Sequence, residues 1–150
     1  MRENVEVAAL GSGASGRTAR RRASELLDRL GLSHLAGRRA DSLPHGDERR
    51  LGIARVLAIE PDFVLMDEPA AGLPESEAPQ FAEVIRAVSG QGGGVLLIDH
   101  NVALIMAVCD RVHVLDQGRT LAAGTPGEIR ANLDVAAAYL GETAVAGDDG

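Results

Sequence analysis

FVLMDEPAAGL, residues 63–73, places four consecutive apolar residues between a Pro-Asp pair and two carboxylates. A short apolar run bounded in this way reads as a buried parallel strand over 63–66, ended by Asp67, Glu68 and Pro69. A second such run, VLLI at 95–98, ends in Asp99-His100-Asn101. Between the two lies a helical pattern over 76–89, with Phe81, Val84, Ile85 and Val88 on one face, and then a glycine-rich turn over 90–94. Strand, helix and strand in this order predict an α/β sheet. In such sheets ligands bind at the carboxyl ends of the strands, where this sequence sets Asp67, Glu68 and His100. A carboxylate at a strand end can help hold Mg²⁺ on a nucleotide, usually through water. The next one, pointing elsewhere, can polarise an attacking water. An acidic pair capping a strand at a solvated edge reads the same way.

Outward from these strands, HGDERRLGIARVLAI at 45–59 reads as a helix with Leu51, Ile53, Ala54, Leu57 and Ala58 inward, closed by Pro61. ARRRASELLDRLG at 19–31 is a second helix, with Ala23, Leu26, Leu27 and Leu30 on one face and Gly31 as its stop. Arg20, Arg21 and Arg22 are expected on a solvated side of it. GSGASG at 11–16 reads as a loop. Downstream, a short helix covers 102–109, and VHVL (112–115) and RTLAAG (119–124) flank a hairpin turn at Asp116-Gln117-Gly118. Thr125-Pro126 opens a short helix with Glu128 in its first turn. A last helix near 134–140 stops at Gly141, and the tail after it is expected to fray.

Composition narrows the chemistry. Of the 150 residues, 22 are acidic and 15 basic, for a net charge of −7, which argues against a nucleic-acid partner. All 15 basic residues are arginine, which excludes Schiff-base chemistry and any lysine general base. The three aromatics, Phe63, Phe81 and Tyr139, make no stacking platform. Cys109 is the only cysteine, so no disulfide framework forms within the chain, and its apolar surroundings suit packing better than nucleophilic attack. His34 and His113 are scattered and form no metal site. The first ten residues lack the apolar run of a signal peptide, and the longest apolar stretch, 102–109, is too short to span a bilayer.

Four motifs in order give the sequence a family resemblance. SLPHGDERR at 42–50 looks like the signature motif of ATP-binding-cassette (ABC) transporter subunits, usually LSGGQ, with its following arginines and helix. FVLMDEP looks like Walker B, AAGLPE (70–75) like the D-loop, and LLIDH (96–100) like the strand and switch histidine. AAGTPGEIRANLDVAAAYLGE at 122–142 resembles the C-terminal tail of branched-chain amino acid transporter ATPases, and RENVEVAA at 2–9 the segment after the Q-loop. The resemblance implies an α/β fold, a partial P-loop NTPase core with a helical subdomain. It sets 1–60 as the helical subdomain, 61–124 as part of the nucleotide-binding core, 125–142 as the tail and 143–150 as a disordered end.

The function it implies is that of an ATP-binding subunit of an ABC importer, with ATP and Mg²⁺ as cofactors. By the same resemblance Asp67 would coordinate Mg²⁺, Glu68 would be the general base and His100 would contact the γ-phosphate. His45, Gly46 and Asp47 would bind the γ-phosphate of ATP held by a second ATP-binding subunit in a head-to-tail dimer. Transmembrane permease subunits would be the other partners, on the inner face of the cell membrane. Pro44 stands where the family has serine, His45 at the first glycine, Asp47 at the glutamine, and Pro74 in the D-loop. The Walker A loop, the adenine-stacking aromatic and the Q-loop precede the part this chain resembles, so residues 1–150 alone are expected not to hydrolyse ATP. Two other readings stay open at this point. One is a non-hydrolytic half-cassette that completes a partner subunit's ATP site. The other is a small independent NTPase using GSGASGRT (11–18), a P-loop pattern with Arg17 in the lysine slot, VEVAAL before it as a strand and a helix after it. Against the latter, a guanidinium does not replace the lysine ammonium faithfully.

Overall fold

VEVAAL is helical. The computed structural model describes residues 1–89 and 93–143, and its first elements are helices α1 (Arg2–Gly11), α2 (Gly16–Arg29) and α3 (His45–Ala58). GSGASG therefore links helix to helix, and the strand that a phosphate loop at GSGASGRT requires is not formed. The alternation in VEVAAL is too brief to set a period of two. Val5 and Ala9, four apart, instead share a helical face and are fully buried. The three helices pack on one another. Ala23, Leu26 and Leu27 of α2 and Leu30 at its end are buried as expected, and Ala19 joins them; the chain leaves through Gly31 at φ +72°, where a side chain would be strained.

The arginine cluster of α2 is not one solvated face. Arg20 and Arg21 are exposed, but the Arg22 side chain is only 16% exposed and pairs with Glu60 at 2.7 Å. Its guanidinium also donates to the carbonyl of Ala58 at 2.7 Å. Ala58 ends α3, where carbonyls lack helical partners and the dipole favours a cation. The chain then turns through Glu60 at φ +52°.

Strands β1 (Phe63–Asp67) and β2 (Gly94–Ile98) pair in parallel, Leu65 opposite Leu96 and Asp67 opposite Ile98. Helix α4 (Ala78–Ser89), entered by a 3₁₀ turn at Glu75–Glu77, buries Phe81, Ala82, Val84, Ile85 and Val88. It packs on β2. Arg29 donates to the carbonyl of Ala87 near the end of α4, so α2 caps α4 as it caps α3.

The strands are not buried on both sides, as the continuous apolar runs predict. Val64 and Met66 are buried, while Phe63 and Leu65 are 75% and 76% exposed, and Leu96 and Ile98 are 57% and 56% exposed. A run of four apolar residues carries no preference for either face, and among the described residues the helix layer covers one face only. On the open face the Phe63 ring lies against Gly94, where a Cβ would collide with it.

The residues divide into two compact units, Met1–His100 and Asn101–Gly150. The second begins with α5 (Val102–Val108), whose N-cap Asn101 accepts from Leu104 N–H. Cys109 caps its other end, and burial together with Asp110 pushes the thiol up, as suits an inert sulfur. Strands β3 (Val112–Asp116) and β4 (Arg119–Gly124) form an antiparallel hairpin with a bulge between Val114 and Leu115. Asp116 pairs with Arg119, so the turn holds two residues, one fewer than expected. Gln117 and Gly118 both have positive φ, the type I′ geometry that matches strand twist. His113 bonds to Thr120 across this hairpin, and His34 is exposed.

Helix α6 (Pro126–Arg130) begins with the expected proline and a complete capping box. Glu128 accepts from Thr125 N–H at 2.7 Å, and Thr125 Oγ1 accepts from Glu128 N–H at 3.3 Å. The bonds from Thr125 hold the Glu128 carboxyl below its ordinary value. A lowered carboxyl stabilises the fold above its unfolded pKa, and that contribution disappears as pH falls through the folded value. Glu128→Gln should therefore have a lower Tm than the parent at neutral pH, with the gap closing on acidification. Thermal melts of both proteins across that range check this. Helix α7 (Leu133–Thr143) runs past Gly141, the expected stop. One glycine inside a helix costs only about 1 kcal/mol, which tertiary context overrides. The expected turn at 90–92 and the frayed tail at 144–150 lie outside the described residues. Among the described residues no helix is long and apolar enough to cross a membrane.

Candidate functional site

The carboxyl ends of β1 and β2 bring Asp67, Glu68 and His100 into one place. Asp67 is the last residue of β1 and is exposed to solvent. Glu68 follows in the left-handed region, φ +43°, and its N–H donates to Ile98 O at 2.7 Å. A non-glycine residue there costs of order 1–3 kcal/mol and persists where neighbours over-determine it. His100 lies two residues beyond β2, and its Nδ1 is 3.6 Å from Glu68 Oε1.

Asp99 belongs to this site, and the sequence reading passed over it. Its side chain is 1% exposed, with Oδ1 3.8 Å from His100 Nδ1. Oδ2 accepts from Ala70 N–H at 3.3 Å. The available signal was its position, an ionisable residue between a strand end and a candidate histidine. Arg49 ties α3 to the same turn by donating to Pro69 O at 3.0 Å.

His45, Gly46 and Asp47 form the first turn of α3, apart from that cluster. The N-cap is Pro44, which offers no side-chain acceptor to the free amides of this turn. His45 faces Glu48 at 3.6 Å, and Asp47 faces Arg50 at 3.7 Å. Gly46 is crowded, since a Cβ there would lie 2.8 Å from Glu77 Oε2 and 3.7 Å from Leu73. Among the described residues, no hydrogen bond or ion pair joins these three residues to Asp67, Glu68 or His100.

The two places suit different tasks. An exposed carboxylate beside a carboxylate–imidazole pair can hold a cation and move a proton. A helix N-terminus with free amides favours an anion. Among the described residues no group of three or more His, Cys, Asp or Glu side chains is placed to hold a metal ion. Asp67, a single exposed carboxylate at a strand end, could supply at most one ligand to a cation that brings the others with it, as Mg²⁺ does with waters and phosphate oxygens.

A family model described as ABC transporter matches residues 1–71, and one described as branched-chain amino acid ATP-binding cassette transporter matches residues 119–145. The chain is 46% identical over 122 residues to the high-affinity branched-chain amino acid transport ATP-binding protein LivG of Salmonella typhimurium, covering 81% of this chain and 48% of that protein. It is 41% identical over 121 residues to the lipopolysaccharide export system ATP-binding protein LptB of Escherichia coli K12, covering 81% and 50%. Among solved structures, it is similar to cbiO1 of Clostridium perfringens, part of the ABC transporter complex cbiONQ. That match has TM-score 0.74 and 27% identity, and covers 93% of this chain and 57% of that one. MJ1267, an ATP-binding cassette of an ABC transporter, in its ADP conformation, aligns with TM-score 0.76 over 93% and 62%; at 24% identity this supports the fold alone.

The chain thus has the α/β fold of an ATP-binding cassette, and its sequence is similar to ATP-binding proteins of ABC transporters. Among these it resembles the branched-chain amino acid type. It spans about half the length of the curated relatives it matches.

Proposed function

We propose that residues 1–150 form the later part of the ATP-binding subunit of an ABC importer, and that the subunit couples ATP hydrolysis to the uptake of branched-chain amino acids. The observation that carries the reading is the approach of Glu68 Oε1 to His100 Nδ1 at 3.6 Å, at the carboxyl ends of two parallel strands. Glu68 accepts a proton from the attacking water, and its left-handed backbone sets the carboxylate off the line of β1. His100 contacts the γ-phosphate. Asp67 is the residue that would hold Mg²⁺. When bound, the ion neutralises charge on the β- and γ-phosphates.

His45, Gly46 and Asp47 serve a second subunit. The free amides at the start of α3 bind the γ-phosphate of ATP held opposite, in a head-to-tail dimer. Transmembrane permease subunits complete the assembly, with this subunit on the cytoplasmic face. The amino acid specificity of the relative and of the matching tail model supports the substrate class.

The test is a completed cassette. Residues 1–150 are joined to the upstream half of the Escherichia coli LivG relative, which is 45% identical over the shared part. The expected result is Mg²⁺-dependent ATP hydrolysis by the chimera and none by residues 1–150 alone. A folded chimera that binds ATP but never hydrolyses it would overturn the reading.

A further inference from the structure

Two consecutive residues at the end of β2 hold the turn that carries Glu68. Ile98 O accepts from Glu68 N–H at 2.7 Å, and Asp99 Oδ2 accepts from Ala70 N–H at 3.3 Å. Glu68, which supplies the first of these anchors, is in a left-handed conformation that a non-glycine residue keeps only under constraint. The Asp99 side chain is 1% exposed, while the side chains of Glu68 and His100 are 56% and 74% exposed. The buried member of the cluster is thus the one without a part in the hydrolytic reading.

Its second oxygen faces the histidine. Asp99 Oδ1 is 3.8 Å from His100 Nδ1, and Glu68 Oε1 is 3.6 Å from the same atom. Both separations are longer than a hydrogen bond and within ion-pair distance. Carboxylates only accept, so the ring nitrogen that faces them is best a donor. Neutral histidine carries one ring proton, and the partner of one nitrogen decides which nitrogen has it.

We propose that Asp99 is a positioning residue for the Glu68–His100 pair: its buried carboxylate clamps the Glu68 turn through Ala70 N–H and places the proton of neutral His100 on Nδ1. Nε2 of the neutral ring is then an acceptor, and contact with a phosphate oxygen requires the protonated ring, in which Nδ1 keeps its carboxylate partner and Nε2 also donates. The link to hydrolysis rests on the roles proposed above for Glu68 and His100, whereas the clamp and the tautomer stand on geometry alone. An aspartate suits both tasks because one short, buried side chain offers two acceptors pointing in different directions.

The experiment is nitrogen-15 NMR of the His100 ring, with amide exchange at Ala70, on residues 1–150 at a pH where histidine is neutral. The parent should show the Nδ1–H tautomer. In Asp99→Asn the amide oxygen still accepts from Ala70, but an NH₂ group now faces Nδ1. The tautomer ratio should move toward Nε2–H by about tenfold, the scale of one hydrogen bond to a charged group, with Ala70 still protected. Asp99→Ala should speed Ala70 exchange by a similar factor. A parent with its proton on Nε2, or an Asn variant with an unchanged ratio, would overturn the proposal. If an Asp99 variant fails to fold, Glu68→Gln, which removes the other carboxylate facing Nδ1, must leave the Nδ1–H tautomer in place, and its loss there would overturn the proposal. In the completed cassette, Asp99→Asn should lower kcat more than it raises KM. A cassette with no hydrolysis to lose would count against the hydrolytic roles and leave the tautomer result standing.

Discussion

Glu68→Gln in the completed cassette should lower kcat for ATP hydrolysis by about 10²–10⁴-fold, with KM for MgATP little changed. The substitution is nearly isosteric and keeps the backbone that donates to Ile98 O. It removes the oxygen that would take the proton from water. Stability should not move, because the Glu68 side chain is more than half exposed and its one ion-pair contact, with His100, is 3.6 Å long. Asp67→Asn makes the contrasting variant. A carboxylate that holds Mg²⁺ affects the metal concentration needed for half-maximal rate, whereas a base affects the rate at saturating metal. Steady-state kinetics of both variants over a range of Mg²⁺ separates the roles. An unchanged kcat in Glu68→Gln would remove Glu68 from the chemistry.

Much of this site was legible because strand ends and motif order are local properties of the chain. The apolar runs at 63–66 and 95–98 predict parallel strands, and their flanking residues predict where Asp67, Glu68 and His100 meet. The Thr125–Glu128 box was legible for the same reason, since capping involves residues three apart. What escaped the sequence depends on distant partners. Nothing in ARRRASELL distinguishes Arg22 from Arg20, and only the end of α3 passing beside it makes Arg22 a cap. VEVAAL satisfies a strand pattern over three residues and a helical one over five, and packing against α2 and α3 selects the helix. Asp99 looked like one polar residue among three; its burial arises from the turn that closes over it. The open face of the sheet was illegible for a different reason. A continuous apolar run says that a strand can be covered on both sides, not that the same 150 residues supply both covers.

That asymmetry yields the largest expected stability effect. Phe81→Ala should destabilise the fold by about 3–5 kcal/mol, the usual cost of a large core truncation with its residual cavity. Phe81 is 1% exposed, whereas Phe63 is 75% exposed. Its neighbours on α4 leave little that can collapse into the space, since Ala82, Val84, Ile85 and Val88 are already buried. The helix is also held at both ends, by Arg50 donating to Gln80 at 3.2 Å and by Arg29 on the carbonyl of Ala87. A helix anchored in this way cannot slide inward to fill a cavity. Small domains have only about 5–15 kcal/mol in total, so the loss is a large share of the stability. Leu65→Ala is the control on the opposite face of β1. Leu65 is 76% exposed, and its truncation should change stability by no more than about 0.5 kcal/mol. Urea unfolding of the two variants beside the parent makes the comparison. Equal losses, or a larger loss at Leu65, would mean that α4 does not cover the face of the sheet assigned to it. The strand that presents Asp67 and Glu68 would then rest on a different support.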